Sequence, residues 1–324
     1  MPNAVVLHQV GGPENFRWEP MVVGNPGPGE VRLRHTFSGL NYIDTNFRRG
    51  DYPPGPLPAI LGREGAGVVE AVGADVTEVH VGQRVAYASV MGSYAEVRLI
   101  QAERLVPLPE DISDDVAAAS LLKGMTAHML LARVRTIGAG DTVLYHAAAG
   151  GLGLFVCQWA KALGATVIGT VGSQEKSALA RAYGCDHVID YTHEDFVARV
   201  KELTGGRGVT AVFDAVGKAT FEKSVSLVAP FGTIASYGAA SGPAPRDVAS
   251  RLPIDRFLIY PTLPGHVAGR QALLTAANAL FDVIRRGAVR VRIGQRYSLK
   301  DVAQAHRDLE SRRTVGSTVL SVQG

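Results

Sequence analysis

A glycine-rich segment carries the clearest chemical signal in this sequence: Tyr145-His146-Ala147-Ala148-Ala149-Gly150-Gly151-Leu152-Gly153. It lies between a short apolar run, Thr142–Tyr145, and an apolar-faced helical pattern, Leu154–Leu163. Small residues let the backbone turn tightly and bring N–H groups close to a pyrophosphate, and the helix adds the positive end of its dipole. Strand, glycine turn, helix and a further strand form the order of a dinucleotide fingerprint, so we predict a nucleotide site, with a purely structural turn as the alternative.

The end of the next strand, Thr166–Thr170, distinguishes between the two dinucleotides. NAD sites place an Asp or Glu about 20 residues beyond the glycines to bind the ribose hydroxyls. Here the chain reads Val171-Gly172-Ser173 without an acid, and Lys176 follows. A carboxylate would repel a 2′-phosphate, whereas a cation and a hydroxyl suit it. We therefore predict that the cofactor is NADPH and that Lys176 binds its 2′-phosphate. The alternative is that Lys176 is an ordinary solvated helix residue.

Metal ligands are missing from the pattern. The two cysteines, Cys157 and Cys185, form no Cys-x-x-Cys pair, and the nine histidines show no ligand spacing. We predict that no metal is bound. Two cysteines cannot build a disulfide framework either, which favours a reducing cytoplasm.

The elements that position these residues change character along the chain. The first third consists of short alternating runs such as Val31–Thr36 and Gly67–Gly73, separated by Gly and Pro, which is typical of a barrel-like β module. Ser113-Asp114-Asp115-Val116 resembles a helix start. From Asp141 to about Gly238 strands and helices alternate, which predicts a parallel sheet covered by helices on both faces. We expect the last strand, Ser317–Ser321, to return to the first domain.

Composition bounds the function classes. A length of 324 residues predicts two domains, and no run approaches the ~20 apolar residues of a membrane span. The N-terminal residues lack the layout of a secretory signal. A net charge of +3, with Lys and Arg scattered, predicts no particular partner. We expect no membrane partner, and without a basic stripe a nucleic-acid partner has little support.

The glycine turn and four further segments carry a family resemblance over essentially the whole length. The chain resembles the quinone oxidoreductase (zeta-crystallin-like) branch of the zinc-free medium-chain dehydrogenases/reductases. Besides the glycine turn, the motifs are Gly39-Leu40-Asn41-Tyr42-Ile43-Asp44-Thr45, Leu122-Lys123-Gly124-Met125-Thr126, Asp214-Ala215-Val216-Gly217 and Leu309-Glu310-Ser311-Arg312. Zinc-containing relatives carry Gly-His-Glu where this chain has Gly62-Arg63-Glu64, and a ligand Cys near Ser38.

The resemblance implies an α/β fold with a GroES-like β-barrel catalytic domain and a Rossmann, doubly wound parallel sheet domain. The implied domains are residues 1–122 (catalytic), 123–262 (NADP-binding) and 263–324 (return to the catalytic domain). It also implies a homodimer formed through edge strands of the Rossmann sheets.

By the same resemblance the cofactor site is assigned residue by residue. The adenosine 2′-phosphate end would be bound by Lys176, Tyr191 and Arg312, with Gly172 and Ser173 lining the turn. The remaining residues would contact the pyrophosphate (Gly150, Gly151, Leu152), the nicotinamide and its ribose (Asn41, Tyr42, Thr126) and the opposite wall of the cofactor (Gly238). Each assignment has a structural alternative. Asn41 and Asp44 could order a loop, Tyr191 could pack as a half-buried aromatic, and Arg312 could be an exposed helix-end charge.

The implied activity is NADPH-dependent reduction of a quinone or another conjugated carbonyl, by hydride or single-electron transfer. Without a Lewis acid an alcohol is a poor substrate, whereas a quinone is already electron-poor. We predict that Asn41 and Tyr52 serve the reaction, with Tyr52 either at the substrate wall or as a packing aromatic. An alkenal or enoyl C=C reductase is the nearest alternative, and a crystallin-like or RNA-binding protein is the alternative of another class. Relatives differ where this chain has Asn46, Met129 and Tyr260, which we expect to line the substrate cleft.

Overall fold

The computed structural model describes residues 1–245, 247, 250 and 252–322. The chain divides into two compact units. The first unit comprises Met1–Lys123, Ala268–Phe281 and Val291–Gly324, and the second comprises Gly124–Val267 and Asp282–Arg290. The predicted domain limits at residues 122 and 262 stay predictions.

Short strands separated by glycine and proline turns make up the N-terminal part of the first unit, because β-branched residues alternate there with polar ones. In chain order its elements are β1 (Asn3–Leu7), β2 (Phe16–Pro20), β3 (Glu30–Leu40), α1 (Tyr42–Arg49), β4 (Ala59–Ile60), β5 (Glu64–Val72), β6 (Arg84–Ala88), β7 (Val97–Gln101), β8 (Val106–Pro107) and α2 (Asp114–His128).

Alternating strands and helices follow. They are β9 (Thr142–His146), α3 (Gly151–Ala162), β10 (Thr166–Val171), α4 (Gln174–Ala182), β11 (His187–Asp190), α5 (Phe196–Leu203), β12 (Val209–Asp214), α6 (Phe221–Val225), β13 (Val228–Ser236), β14 (Phe257–Ile259) and α7 (Leu263–His266). The chain ends with α8 (Arg270–Arg285), β15 (Ile293–Ser298), α9 (Val302–Glu310) and β16 (Ser317–Ser321).

The second unit is built on a six-stranded sheet in the order β11-β10-β9-β12-β13-β14. All of its pairings are parallel. Leu144, Ile168, Val212 and Ile234 occupy neighbouring register positions and are at most 1% exposed. Because all the pairings are parallel, the carboxyl ends of all the strands lie at one edge, which is where α/β proteins bind nucleotides.

The first unit contains two sheets. The larger has seven strands in the order β15-β16-β3-β5-β6-β8, with β7 also paired to β3, and the smaller has the order β2-β1-β4. Strand β16 pairs antiparallel with β3, so the last strand lies beside the N-terminal strands. Val31, Leu33, Val69 and Tyr87 are at most 1% exposed within one apolar cluster of this unit.

No helix in the described part of the chain has both the length and the apolar character needed to cross a membrane.

Candidate functional site

The glycine turn joins β9 to α3 at the carboxyl edge of the parallel sheet. Ala147 adopts a left-handed φ of 60°, and the N–H of Gly150 donates to the carbonyl of Ala147 at 2.9 Å. Helix α3 begins at Gly151, three residues before the predicted Leu154, because glycine is a poor helix former and the apolar pattern indicated only the later turns. Gly151 and Leu152 therefore lie in the first helical turn, whose N–H groups have no acceptor within the helix.

Gly153 occupies a position where the close approach of helix and turn leaves no room for a side chain. A Cβ added there would lie 2.5 Å from the carbonyl oxygen of Ala147 and 2.6 Å from that of Ala148. The helix start is thus packed directly on the turn before it. The resulting cradle of small residues at a positive helix end fits a pyrophosphate by shape and by charge.

The turn after β10 brings four candidate residues together. A Cβ on Gly172 would lie 2.5 Å from the hydroxyl oxygen of Tyr191, and Tyr191 directly follows β11. Ser173 precedes α4, and its Oγ accepts the N–H of Lys176 at 3.3 Å. The hydroxyl can still donate its own proton. Tyr191 is 46% exposed, so its half-buried ring leaves a face accessible.

Two further turns of the same edge follow β12 and β13. Buried Asp214 accepts the N–H groups of Val216 at 2.7 Å and Gly217 at 2.9 Å, which braces the turn after β12. Gly238 follows β13, and a Cβ there would meet the carbonyl oxygen of Ala215 at 2.5 Å. The second-unit candidates Gly150, Gly172 and Gly238 therefore all follow strands at one sheet edge.

Asn41 and Tyr42 lie at the start of α1 in the first unit. Asn41 precedes the helix and is 6% exposed. Its N–H donates to Asp44 Oδ2 at 2.9 Å, and the N–H of Asp44 donates back to the Asn41 carbonyl at 2.9 Å. The Asn41 side-chain NH2 donates to Glu64 Oε2 at 2.8 Å. Asp44 thus orders this helix start, whereas the Asn41 amide is oriented by a different residue.

Thr126 and Arg312 lie in different units. Thr126 belongs to the part of α2 that lies in the second unit and is 7% exposed. Arg312 belongs to the first unit and follows α9, with a left-handed φ of 61° and its N–H donating to the Leu309 carbonyl at 3.1 Å.

The electrostatics near Asn41 depend on Asp44, whose Oδ2 also accepts the hydroxyl of Tyr94 at 3.2 Å. Among the described residues Asp44 Oδ1 has no hydrogen-bond partner. Burial, the largest cause, and the Glu64 carboxylate raise the pKa of Asp44, the Asn41 N–H, Arg63 and Tyr94 lower it, and the net result is a pKa of about 7. A carboxyl that holds a proton near neutral pH therefore lies beside Asn41.

A chain of hydrogen bonds extends from Asp44 through the first unit. Tyr94 Oη lies 3.1 Å from His306 Nε2, and His306 Nδ1 lies 3.3 Å from the guanidinium of Arg48. Arginine only donates, so Nδ1 accepts, Nε2–H donates to Tyr94, and Tyr94 donates to Asp44. Burial lowers the pKa of His306 to about 3, which keeps the ring neutral. Arg48 also makes two 2.8 Å bonds to Glu310.

Tyr52 follows α1 and is 38% exposed. Its ring packs edge-to-face on Phe47 with centroids 5.7 Å apart, so it combines a packed side with an accessible one. Asn46, expected in the substrate cleft, is 6% exposed, and its Oδ1 accepts from Arg49 at 2.6 Å. Met129 is 3% exposed and Tyr260 is 57% exposed.

The two positions that zinc-containing relatives use for ligands hold other chemistry here. Ser38 Oγ lies 2.6 Å from Ser93 Oγ, and the guanidinium of Arg63 donates to the Ser89 carbonyl at 2.9 Å. Neither a hydroxyl of this kind nor a guanidinium is a zinc ligand. Within the described residues no three His, Cys, Asp or Glu side chains are grouped as metal ligands. These residues do not fit a catalytic zinc.

Comparisons with known proteins decide the family. Residues 27–110 match the family model "Alcohol dehydrogenase GroES-like domain", and residues 151–268 match "Zinc-binding dehydrogenase". The chain is 48% identical over 324 residues to a quinone oxidoreductase of Pseudomonas aeruginosa, covering 99% of both chains. The chain belongs to the quinone oxidoreductase family. The predicted family and the two-part fold class are thereby confirmed.

Two other similarities within this family bear on the site. The structure of Escherichia coli quinone oxidoreductase complexed with NADPH superposes with a TM-score of 0.95 at 40% identity, covering 98% of this chain and 99% of that one. A 2-haloacrylate reductase of Burkholderia sp is 44% identical over 332 residues, with all of both chains covered. Proteins that are similar to this chain over its whole length are thus named for two different reductions, of a quinone and of a 2-haloacrylate.

Two contributors to the site were missed by sequence reasoning. The sequence patterns assign no role to Glu64 or Lys123, yet Lys123 Nζ lies 3.2 Å from Glu64 Oε2, which also accepts the Asn41 NH2. A charged residue within an otherwise apolar helix pattern, such as Lys123 among Leu121, Leu122 and Met125, is the signal that could have identified the pair.

Proposed function

We propose that this chain reduces quinones with NADPH and without a metal, by transfer of a hydride or of single electrons. The observation that carries the proposal is the turn after β10, where Ser173 and Lys176 replace the acid of an NAD site beside Tyr191. A 2′-phosphate carries negative charge and accepts hydrogen bonds, so it is favoured there over a free ribose hydroxyl. The similarity to named quinone oxidoreductases supports the choice of acceptor.

The roles proposed for the residues follow from their chemistry. The first turn of α3, with Gly150, Gly151 and Leu152, would bind the pyrophosphate through backbone N–H groups. Lys176, Tyr191 and Arg312 would bind the 2′-phosphate end, with Gly172 and Ser173 lining the turn. Asn41, Tyr42, Thr126 and Gly238 would orient the nicotinamide end.

The bound dinucleotide supplies the reducing equivalents. The protein's contribution is to orient the two rings in contact and to exclude water, which is enough for an acceptor as electron-poor as a quinone. Tyr52 would bind the substrate with its exposed face, by stacking or by a hydrogen bond to a carbonyl. We place the activity in the cytoplasm, consistent with the free, buried Cys157 and Cys185.

The test is oxidation of NADPH followed at the absorbance of the reduced nicotinamide. Parallel samples contain 1,4-benzoquinone, a naphthoquinone, an alkenal and a crotonyl thioester, with NADH and EDTA as controls. Quinone-dependent oxidation that prefers NADPH and is indifferent to EDTA is the expected result. NADPH binding without turnover of any acceptor would instead support a crystallin-like or RNA-binding role.

A C=C reductase is the second candidate, favoured by the similarity to the 2-haloacrylate reductase. Both reactions use the same turns for the cofactor and differ in the acceptor. Faster turnover of the alkenal or the thioester than of either quinone would select this candidate and leave the cofactor assignment intact.

A further inference from the structure

A buried carboxylate accepts a hydrogen bond from the Asn41 side chain in the first unit. Glu64, the first residue of β5, is 0% exposed. Its Oε1 accepts the N–H of Leu122 at 2.7 Å, and its Oε2 accepts Asn41 Nδ2 at 2.8 Å and Lys123 Nζ at 3.2 Å. Lys123 is itself 5% exposed. Both oxygens are therefore satisfied by donors from α2 and from the residue that precedes α1.

Gly39 on β3 provides the space for this arrangement. Gly39 is paired with Glu64 across the sheet, and a Cβ on it would lie 2.6 Å from Glu64 Oε2 and 2.2 Å from the Ala118 carbonyl oxygen. Any larger residue would displace either the carboxylate or α2. The packing thus holds the Glu64 side chain in one position.

The chemistry of the donors dictates the orientation of Asn41. A carboxylate only accepts hydrogen bonds, so the group of Asn41 that faces Glu64 is its NH2 and its carbonyl oxygen faces away. The backbone N–H of Asn41 is held independently by Asp44. Asn41 is therefore oriented at its main chain by one carboxyl group and at its side chain by another.

The Glu64–Lys123 pair has little value as a stabiliser. Desolvation of two buried charges offsets most of their mutual attraction, and apolar replacements of such pairs are often as stable. Apolar residues in place of Glu64 and Lys123 could fill the same space, but they could not fix the direction of the Asn41 amide. We infer that Glu64 is a positioning residue, which fixes the Asn41 amide through a carboxylate neutralised by Lys123 and so orients the nicotinamide end of the cofactor. This inference rests on the proposed function, in which Asn41 contacts that end.

Glu64→Gln is a sharp probe because glutamine has one acceptor and one donor. If its oxygen keeps the Leu122 N–H, its NH2 faces the NH2 of Asn41, and the Asn41 amide must turn over. Lys123→Met in the same chain removes the cation that Glu64→Gln leaves unpaired. Glu70→Gln is the matched control, since Glu70 lies on the same strand but pairs with Arg32 and Arg34.

The experiment is a double-mutant cycle of Glu64→Gln and Asn41→Ala, read by kcat with saturating NADPH and quinone, by NADPH affinity and by melting temperature. Glu64→Gln is expected to lower kcat about tenfold to a hundredfold, the effect of misplacing a reacting group. In the Asn41→Ala background the same change is expected to lower kcat by less than about twofold, because coupled residues are not additive. The double variant Glu64→Gln with Lys123→Met is expected to have the melting temperature of wild type but the lowered kcat of Glu64→Gln.

A purely structural role predicts other results. Additive losses of kcat in the cycle, or a lowered melting temperature with unchanged kcat per folded enzyme, would overturn the inference. If wild type reduces an alkenal rather than a quinone, the cycle is read with the alkenal. If wild type reduces no acceptor, the proposed function fails, and the four proteins are compared by NADPH affinity, where non-additivity supports the positioning role and additivity overturns it.

Discussion

At the scale of single residues, the Asp44 carboxyl couples the stability of the first unit to pH. Its pKa in the folded chain, about 7, lies above the ordinary 3.8, so the folded state keeps a proton that the unfolded state loses. Its stabilising contribution is full below pH 3.8 and is lost as the pH rises through about 7. Arg63, Glu64, Tyr94 and the Asn41 N–H are the groups that face it.

Asp44→Asn removes this dependence because asparagine stays neutral. Between about pH 4 and pH 8 the free energy of unfolding of wild type should fall relative to the variant, by at most roughly 4 kcal/mol at about 1.4 kcal/mol per pKa unit. Urea unfolding at several pH values measures the difference. Buried His35 and His306, whose pKa values burial lowers to about 3, act in both proteins and cancel. Parallel pH curves would show that Asp44 is not the titrating group.

Lys176 is the residue on which the preference for NADPH is argued. Lys176→Glu puts a carboxylate beside the turn that precedes α4, and repulsion should weaken NADPH binding more than about tenfold with a far smaller effect on NADH. Lys201→Glu, an exposed change on α5, is the matched control. Fluorescence titration of the reduced cofactors measures both affinities. An equal loss for the two cofactors would remove Lys176 from the 2′-phosphate site.

Tyr52 tests how much proton donation the reaction needs. Tyr52→Phe keeps the ring on Phe47 and deletes the hydroxyl, so a modest fall in kcat/KM is expected if positioning dominates. Steady-state kinetics with one quinone are sufficient. A fall beyond about a thousandfold, within the general-acid range, would assign the hydroxyl a direct role in protonation.

At the scale of elements, the start of α3 depends on close backbone approach. Gly153→Ala brings a methyl group to 2.5 Å from the Ala147 carbonyl oxygen, so the turn and the helix must separate. We expect a loss of about 1–3 kcal/mol in stability, as for other overpacked sites, together with weaker NADPH binding. Thermal unfolding and cofactor titration measure the two effects.

Gly138→Ala is the control for that substitution, because nothing lies within 4 Å of a Cβ at this position in the same unit. It should leave melting temperature and NADPH affinity unchanged. Similar behaviour of the two variants would mean that the packing at Gly153 does not support the cofactor site.

At the scale of the whole molecule, the homodimer stays a prediction, and the edge strand β14 is where we expect the two chains to pair. Strand β14 is an edge of the parallel sheet, and its Phe257 and Ile259 are 54% and 37% exposed. An apolar edge strand is a template for pairing with a second chain, and an added lysine blocks such pairing. Ile259→Lys should therefore convert the dimer into a monomer.

Light scattering during size-exclusion chromatography measures this change. Val22→Lys, at an 83% exposed position of the first unit, is the control that should leave the assembly unchanged. A monomeric wild type would contradict the predicted dimer, and a dimeric Ile259→Lys variant would contradict pairing through β14.

Local sequence determined most of the architecture and supplied the residues on which the proposed cofactor site is argued. Residue type and period define each strand and helix over a few positions, so the alternation from Asp141 onward and the final strand Ser317–Ser321 were predictable. The missing acid after β10 is likewise a property of neighbouring residues. The apolar pattern alone predicts the start of α3 three residues too late, because steric demands of the fold, and not helix propensity, select the glycines there.

Only the tertiary structure decided what surrounds Asn41. Glu64 is 23 residues from Asn41 and 59 from Lys123 along the chain, and Tyr94 is 212 residues from His306. No local pattern relates such positions, because they come together through the pairing of β3 with β5 and the packing of α2 and α9 in the first unit. Burial then sets which of these groups keep a proton and which way an amide faces, and burial is a property of the folded chain alone.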